Sequence, residues 1–309
     1  MTASIVEPPQ TPVSPRGRPP YDRHGTNVDA PPRAPAQVLL FWDYDTQWGA
    51  DRSRLPGGPK RWGWLEGPYT DRLLEIHAEY DIPACFAVVG AAARPGPRPY
   101  HDPEQIRRMH QLGHEVASHS HRHEWLPGLG SRELRDTLRA SREALEDCIA
   151  VPVRSFVPPF NQPFDYPAGW SVSLGERREA GRTRTDLARL CEALEETGYR
   201  FCRVAYRPLA QRVAEWCLGR RLDRPSRIEH IGAIACVRLN TAGGFGPPAL
   251  AMLDRCVRSG GLTVVYGHPH SLAAGDSQDE RVLVPFLRRV RELQRERLAE
   301  VILPRQLWG

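Results

Sequence analysis

Two histidines four residues apart, His119 and His123, are well suited in type and spacing to bind a metal ion. They follow a short run at residues 115–118 that reads as a strand. Residues at i and i+4 share one face of a helical turn, so both imidazoles could direct a nitrogen at one cation. Imidazole is a common ligand of zinc. Such pairs also occur among surface and structural histidines, so a metal site is predicted only if the sequence offers a third ligand.

Two carboxylates supply a candidate for that ligand. Asp43 and Asp45 end an apolar run that begins at Val38 and reads as a buried strand. Alternate residues of a strand share a face, so the two acids could act together. One would bind the metal, and the other would take a proton from metal-bound water. The alternative is that Asp43 caps a turn and Asp45 caps a helix N-terminus.

Four segments, in this order, resemble the ordered motifs of the polysaccharide deacetylases, carbohydrate esterase family 4. They are residues 41–45 (FWDYD), 119–123 (HSHRH), 157–160 (VPPF) and 264–269 (VVYGHP). The matches extend from about residue 38 to residue 270 and so cover most of the chain. The two acids are separated by one residue here, a variation on the adjacent pair that the family tolerates.

The resemblance implies a role for each of five residues. Asp43 would be the catalytic base and His268 the general acid. The metal ligands would be Asp45, His119 and His123. A histidine that merely ends a strand is the alternative for His268, because the Pro269 that follows it is also typical of a turn.

One position departs from the family pattern. Val157 stands where the family has an arginine that pairs with the base, which leaves the orientation and the pKa of Asp43 without their usual cation. Arg154 is the nearest arginine in sequence, but an offset of three places it on the opposite strand face. The aspartate that orients the late histidine also has no clean match, and Asn240 is the stand-in expected for it.

The constellation predicts hydrolysis of an acetyl group from the nitrogen of an amino sugar or a sugar-containing small molecule. Two imidazoles and a carboxylate suit one divalent ion, with Zn²⁺ expected first and Co²⁺, Ni²⁺ or Fe²⁺ compatible with the same ligands. The metal and the backbone N–H of Phe160 would stabilise the oxyanion, and His268 would protonate the leaving amine. The other candidate substrate-binding residues are Pro159, Asn161 and Trp48.

Two further functions remain open from the sequence. A non-haem iron oxygenase also uses two histidines and one carboxylate, although usually on a β-rich jelly roll. A catalytically silent relative that binds glycans is the second, and Val157 is the reason to consider it.

Composition is that of a globular enzyme, with 309 residues, 40% hydrophobic and 26% charged, and a net charge of +5. Arginines concentrate between residues 200 and 227, which predicts a solvated surface or an insert facing an anionic substrate. Nucleic-acid binding is not expected, because no zinc finger or basic heptad helix accompanies them. These arginines include Arg203, Arg207, Arg212, Arg220, Arg221 and Arg224.

Cysteine usage and the N-terminus predict a cytoplasmic protein. The seven cysteines are an odd number without a Cys-x-x-Cys pair, which favours free thiols in a reducing compartment. No export signal or membrane-spanning segment of about 20 apolar residues is evident. We therefore expect a small or soluble intracellular substrate. Oligomeric state is left open.

The order of apolar and amphipathic segments predicts an irregular (β/α) barrel of seven or eight parallel strands, at residues 36–309. The proline-rich residues 1–35 are expected to be a disordered arm. All four motifs fall at strand C-terminal ends, where barrels carry their chemistry. The predicted strands are residues 38–41, 84–89, 115–118, 153–157, 200–205, 231–239, 262–266 and 301–303. The predicted helices are residues 71–80, 104–112, 131–149, 186–197, 249–258 and 279–298.

Overall fold

Nine strands form one curled sheet in the described part of this computed structural model, which comprises residues 34–53, 60–161, 187–205 and 209–308. The order across the sheet is β6-β7-β5-β4-β3-β2-β1-β8, and β9 pairs with the first residues of β1. The strands are β1 Ala36–Tyr44, β2 Cys85–Val88, β3 Glu115–Ser118, β4 Ser155–Phe156, β5 Phe201–Val204, β6 Ile228–Ile231, β7 Ile234–Arg238, β8 Leu262–Gly267 and β9 Ala299–Val301.

Helices alternate with most of these strands, and this βα order makes neighbouring strands parallel, with β6 and β7 the antiparallel pair among the described residues. The predicted irregular (β/α) barrel is confirmed. The helices are α1 Thr46–Arg52, α2 Gly63–Tyr80, α3 Pro103–Gln111, α4 Ser131–Ile149, α5 Leu187–Glu196, α6 Leu209–Leu218, α7 Pro247–Ser259 and α8 Glu280–Arg295.

The prediction of one parallel strand at residues 231–239 is wrong. A two-residue turn at Gly232 and Ala233 divides this segment, and Ile231 pairs with Ile234 across the turn. Gly232 has φ +59°, a left-handed conformation that glycine adopts without steric cost. The result is the β6–β7 hairpin, which leaves β6 largely exposed. Helices α1 and α6 were also not predicted, and α1 is only seven residues long.

The sheet closes on itself through backbone and side-chain bonds to β8. Ser226, just before β6, exchanges two backbone hydrogen bonds with Leu262 of β8. The Asn240 amide, just after β7, accepts from the Val264 N–H and donates to the Leu262 carbonyl. These bonds join the β7 side of the sheet to β8, so the barrel is closed by irregular segments instead of a further regular ladder.

The apolar side chains divide into two buried groups, as expected for parallel strands covered on both faces. Leu39, Phe41 and Phe201 belong to the group inside the barrel. Leu40 and Trp42 point the other way and pack beneath the helices. Helix α4 matches its prediction at both ends. Its buried stripe contains the four predicted residues Leu134, Leu138, Leu145 and Ile149.

Residues 34–309 form one compact unit. The predicted arm lies outside the described residues apart from its last two positions. Within the described ranges, none of the helices has the length and apolar content needed to cross a membrane.

Candidate active site and metal centre

The candidate residues lie at the carboxyl ends of three strands of the sheet. Asp43 is near the end of β1 and Asp45 follows that strand. His119 directly follows β3, and His268 directly follows β8. In the register, Trp42 of β1 is opposite Gly267 of β8, so the residues that come next, Asp43 and His268, are level with each other. The parallel sheet therefore brings segments distant in sequence to one end of the barrel.

Asp45, His119 and His123 converge on one point. The Asp45 Oδ1 lies 3.3 Å from the His119 Nε2 and 3.4 Å from the His123 Nε2. One ligand atom from each residue lies within 4.8 Å of the other two, and all three residues are buried. Among the described residues this is the only such group of three or more.

The two histidines are held by a loop, and the prediction that they share a helical turn is wrong. Ser120 and His123 have φ of +62° and +59°, so the chain turns through two left-handed residues after β3. The Ser141 hydroxyl of α4 donates to the Ser120 carbonyl, and the Ser120 hydroxyl accepts from the Glu124 N–H. These bonds stabilise the reversal that directs both rings to Asp45.

The polar atoms of this group fit a cation. The His119 Nδ1–H donates to the Val157 carbonyl at 2.7 Å, so in the neutral ring the Nε2 carries a lone pair towards Asp45. The Asp45 Oδ1 is buried and accepts no hydrogen bond from the described residues. Burial opposes the charged form of this carboxyl, but the imidazoles of His123 and His119 outweigh it and hold its pKa well below the usual range. Lone pairs that converge in a buried place are the donor set of a divalent metal site.

Asp43 is held by Arg203, one of the arginines predicted to lie on a solvated surface or to face an anionic substrate. The Arg203 Nη1 and Nη2 donate to the two Asp43 oxygens at 2.8 and 2.6 Å, and both side chains are buried. Burial alone would raise the pKa of Asp43. Arg203, followed by His119, lowers it by more, so the pKa lies below its ordinary value. The prediction of a solvated or substrate-facing arginine is therefore wrong for Arg203, although Arg220 and Arg224 are exposed.

The Arg203 guanidinium is itself enclosed. It stacks over the rings of Phe41 and Tyr266, with its Cζ 5.1 and 4.7 Å from their centroids. The Asn161 Oδ1 accepts from its Nη2 at 3.1 Å, and the Asn161 Nδ2 donates to the Tyr266 hydroxyl at 2.8 Å. Asn161, expected to bind substrate, thus has both ends of its amide engaged. A single arginine inside the apolar strand β5 was the sequence signal for this role.

His268 is oriented by a residue that the sequence analysis missed. The Gln278 Oε1 accepts from the His268 backbone N–H at 2.6 Å and lies 3.0 Å from its Nδ1. The prediction that Asn240 orients this ring is wrong, because the Asn240 amide is engaged at the closure of the sheet. His268 lies close enough to act electrostatically on the carboxyls of both Asp43 and Asp45, so all three share one site.

The remaining candidates lie around the metal ligands. Phe160 has φ +58°, and its ring packs edge-on to the His123 ring with centroids 4.5 Å apart. Pro159, the residue before Phe160, is buried. Trp48 is half-buried against Tyr100, with centroids 5.1 Å apart. The Arg122 guanidinium lies 5.4 Å from the centre of the Trp48 indole, so part of this ring is already covered.

Part of this chain is similar in sequence to known proteins. Residues 60–168 match the family model described as polysaccharide deacetylase. A chitooligosaccharide deacetylase of Sinorhizobium fredii is 36% identical over 99 residues, which are 31% of this chain and 43% of that protein. Residues 60–168 of this chain are therefore similar to a polysaccharide deacetylase domain. The chain thus spans less than half the length of this curated relative, and the segment matched by the family model contains His119, His123 and Phe160.

Solved structures of polysaccharide deacetylases share the fold. A Mycobacterium smegmatis protein assigned to this family superimposes with a TM-score of 0.60 at 19% identity, over 91% of each chain. A Pseudomonas aeruginosa structure with the same assignment superimposes with a TM-score of 0.52 at 13% identity, over 88% of this chain and 89% of that one. At these identities the likeness concerns the arrangement of strands and helices.

Proposed function

We propose that this chain contains a polysaccharide deacetylase domain, a metal-dependent hydrolase that removes an acetyl group from the nitrogen of an amino sugar. The observation that carries the proposal is the convergence of Asp45, His119 and His123 beside the paired carboxylate of Asp43. The name of the Sinorhizobium fredii relative, a chitooligosaccharide deacetylase, supports an acetylated amino sugar as substrate.

Asp45, His119 and His123 would hold one divalent ion, for which zinc fits the two nitrogen donors and one oxygen donor. When bound, such an ion polarises a carbonyl oxygen and lowers the pKa of water towards about 7. The Val157 carbonyl fixes the His119 ring by accepting from its Nδ1–H. A bonded second nitrogen of this kind orients a ligand histidine and raises its basicity.

Asp43 would act as the base that takes the proton of the attacking water. Its two oxygens are fixed by the forked guanidinium of Arg203, which holds the carboxylate ionised and in one orientation. An ionised carboxylate next to the attacking water can accept its proton as the new C–O bond forms. Arg203 would thus position the base without taking the proton itself.

His268 and Phe160 would complete the reaction. His268 would donate a proton to the amine nitrogen as the C–N bond breaks, which matters because an amine is a poor leaving group. The Gln278 oxygen fixes the Nδ1 side of the ring, which leaves the Nε2 side for this transfer. The backbone N–H of Phe160 would donate to the oxyanion. Pro159 and Trp48 would line the sugar-binding site.

The two rival functions are less well supported. A non-haem iron oxygenase would share the three ligands, but the parallel β/α architecture differs from a jelly roll. The hypothesis of a catalytically silent, glycan-binding relative rested on Val157, which stands where the family has the arginine that pairs with the base. Arg203 supplies Asp43 with a cation from another strand and so removes that motive.

Acetate release is the test of this proposal. The substrates should be N-acetylated amino sugars, their oligomers and nucleotide-linked forms, assayed with the zinc-loaded protein. We expect release by the wild type, and a loss of about 10²-fold or more in kcat for Asp43→Asn, which removes a general base. Asp43→Asn should keep its zinc by metal analysis, whereas His119→Ala should lose both zinc and activity.

Other outcomes would contradict the proposal. Sugar binding that Asp43→Asn leaves intact, without acetate release by the wild type from any of these substrates, would favour the silent relative. Oxygen uptake that depends on Fe(II), again without acetate release, would favour the oxygenase.

We further propose that the protein acts in the cytoplasm, with residues 36–309 as the catalytic domain and residues 1–35 as an arm. All seven cysteines are free thiols, which accords with a reducing compartment.

A further inference from the structure

A second histidine of the His268 turn is paired with a buried acid. The His270 Nδ1 lies 3.4 Å from the Glu66 Oε2, and Glu66 is on the first turn of α2. The side chain of Glu66 is 1% exposed and that of His270 is 14% exposed. The other carboxylate oxygen of Glu66, Oε1, is buried without a hydrogen-bond partner among the described residues. A buried acid at the rim of a reaction site is costly unless it has a charged partner.

Aromatic contacts fix this pair next to the proposed acid. The His270 ring stacks flat on the Trp62 indole, with centroids 4.6 Å apart and an angle of 13° between the planes. It also lies 5.1 Å, centre to centre, from the His268 ring. His268 itself is bonded to the neutral amide of Gln278. Of these two neighbouring imidazoles, His270 is therefore the one with a carboxylate partner.

The charges around the pair favour a bound proton. Burial lowers the pKa of His270, but Glu66 raises it by more, and the net pKa is above its ordinary value. Burial raises the pKa of Glu66 above its ordinary value in spite of His270. The other groups that face the pair are Asp45, Asp276 and His268. The Glu66 carboxylate therefore favours the protonated form of His270, and His270 in turn offsets part of the cost of burying that carboxylate.

We propose that Glu66 and His270 form a proton-storing dyad that recharges His268 after each turnover, an inference that rests on the proposed function. When the C–N bond breaks, His268 gives its proton to the amine nitrogen and becomes neutral. The imidazolium of His270 then returns a proton to His268 through intervening solvent, and Glu66 holds His270 in position throughout. His270 is partly exposed, so it takes its replacement proton from solvent.

Histidine titration by NMR tests the dyad without any turnover. In the zinc-loaded wild type, His270 should titrate above about 6.5, the ordinary value for histidine. Glu66→Gln keeps the shape of the side chain and removes its charge, so His270 should then titrate at a lower pH. A His270 that titrates at or below about 6.5 in the wild type, or a titration that Glu66→Gln does not move, would overturn the inference.

Turnover then tests the relay itself. His270→Phe keeps a ring to stack on Trp62 but cannot carry a proton, so kcat should fall about tenfold or more with KM little changed. Added imidazole should restore part of the loss, and the control His230→Phe, at an exposed position of β6, should behave as the wild type.

The relay is wrong if His270→Phe turns over normally, or if its loss is neither restored by imidazole nor accompanied by a shifted pH–rate profile. That second result would indicate a purely structural role. A wild type without acetate release would count against the proposed function, and the NMR titration would still decide whether the dyad holds its proton.

Discussion

Val157, which directly follows β4, is laterally adjacent to Arg203 of the neighbouring strand β5. The register pairs Phe156 with Cys202, so the next residues, 157 and 203, are level with each other. Val157 packs in the barrel interior with Phe201, which is two residues before Arg203 and therefore on the same face of β5. The backbone of an arginine at position 157 or at position 203 would therefore lie at nearly the same level in the barrel, and from either position the side chain could reach Asp43.

This adjacency predicts that the arginine can be moved between the strands. Arg203→Val should lower the free energy of unfolding by about 3–5 kcal/mol, because the buried Asp43 carboxylate is left unpaired. It should also lower kcat/KM, since the base loses its orientation. Val157→Arg combined with Arg203→Val should regain part of both losses, measured by urea unfolding and acetate release.

The Asp43→Asn background is the control for this prediction. With no carboxylate to leave unpaired, Arg203→Val should cost less there, and the difference measures the coupling. Arg132, which is 95% exposed, provides a matched surface substitution, Arg132→Val, that should be close to neutral. Equal costs of Arg203→Val with and without Asp43 would show that Arg203 does not act through this carboxylate.

Among the secondary-structure elements, β1, β2 and α2 meet at a group of buried neutral histidines. The Trp42 Nε1–H donates to the His77 Nε2 at 2.8 Å, and the His77 Nδ1–H donates to the Ile82 carbonyl. The His114 Nδ1 accepts from the Ala84 N–H at 3.1 Å. These bonds use the rings in their neutral form and tie the start of β2 to helix α2 and to the segment before β3.

The same bonds make this part of the fold sensitive to acid. Burial lowers the pKa of His77 to about 4 and that of His114 to about 3. Histidines in the unfolded chain titrate at about 6.5. Below that pH, His77 and His114 therefore bind protons in the unfolded chain but stay neutral in the folded one. Stability should therefore be fully present above about pH 6.5 and fall as the pH is lowered towards these folded values.

His114→Asn tests this pH dependence, because the Asn Oδ1 can replace the Nδ1 as acceptor for the Ala84 N–H. Between pH 6.5 and 4.5 the variant should lose about 2 kcal/mol less unfolding free energy than the wild type. Urea unfolding at several pH values measures this difference. The same dependence of unfolding free energy on pH in the variant and the wild type would contradict the prediction. The control His230→Gln, on the exposed strand β6, should show the pH dependence of the wild type.

At the scale of the whole barrel, the side-chain amide of Asn240 contributes to the closure of the sheet, together with the backbone bonds between Ser226 and Leu262. The Asn240 side chain makes three hydrogen bonds, to the carbonyls of Arg224 and Leu262 and from the N–H of Val264. It is 1% exposed, so water cannot readily replace these partners. The neighbouring Thr241 hydroxyl adds one bond to the Val264 carbonyl.

Removing this amide should lower the stability of the barrel without changing the ionisation of the catalytic groups. Asn240→Ala leaves several buried backbone groups unpaired and should lower the free energy of unfolding by about 2–4 kcal/mol. Thr241→Val removes one bond and should cost about 1 kcal/mol. The pH–rate profile of folded Asn240→Ala should match the wild type. A changed profile would contradict this purely structural role for Asn240.

The sequence by itself determined most of the strands and helices and the order of the chemical residues, although it missed the β6–β7 hairpin and helices α1 and α6. Apolar runs marked the strands, a stripe of leucines marked α4, and the candidate residues followed strands whose carboxyl ends a parallel sheet brings together. These signals are local, because periodicity and burial act over a few residues. The family resemblance added roles for Asp43 and His268, which a pattern of burial alone does not distinguish.

Only the tertiary structure decided the partners of those residues. Arg203 lies 160 positions from Asp43 in the chain, and Glu66 lies 204 positions from His270. Whether an arginine in an apolar strand meets a carboxylate depends on the curl of the sheet and on which strands become neighbours. The loop that directs His119 and His123, the Gln278 partner of His268 and the closure at Asn240 depend on the same long-range packing, which no local pattern encodes.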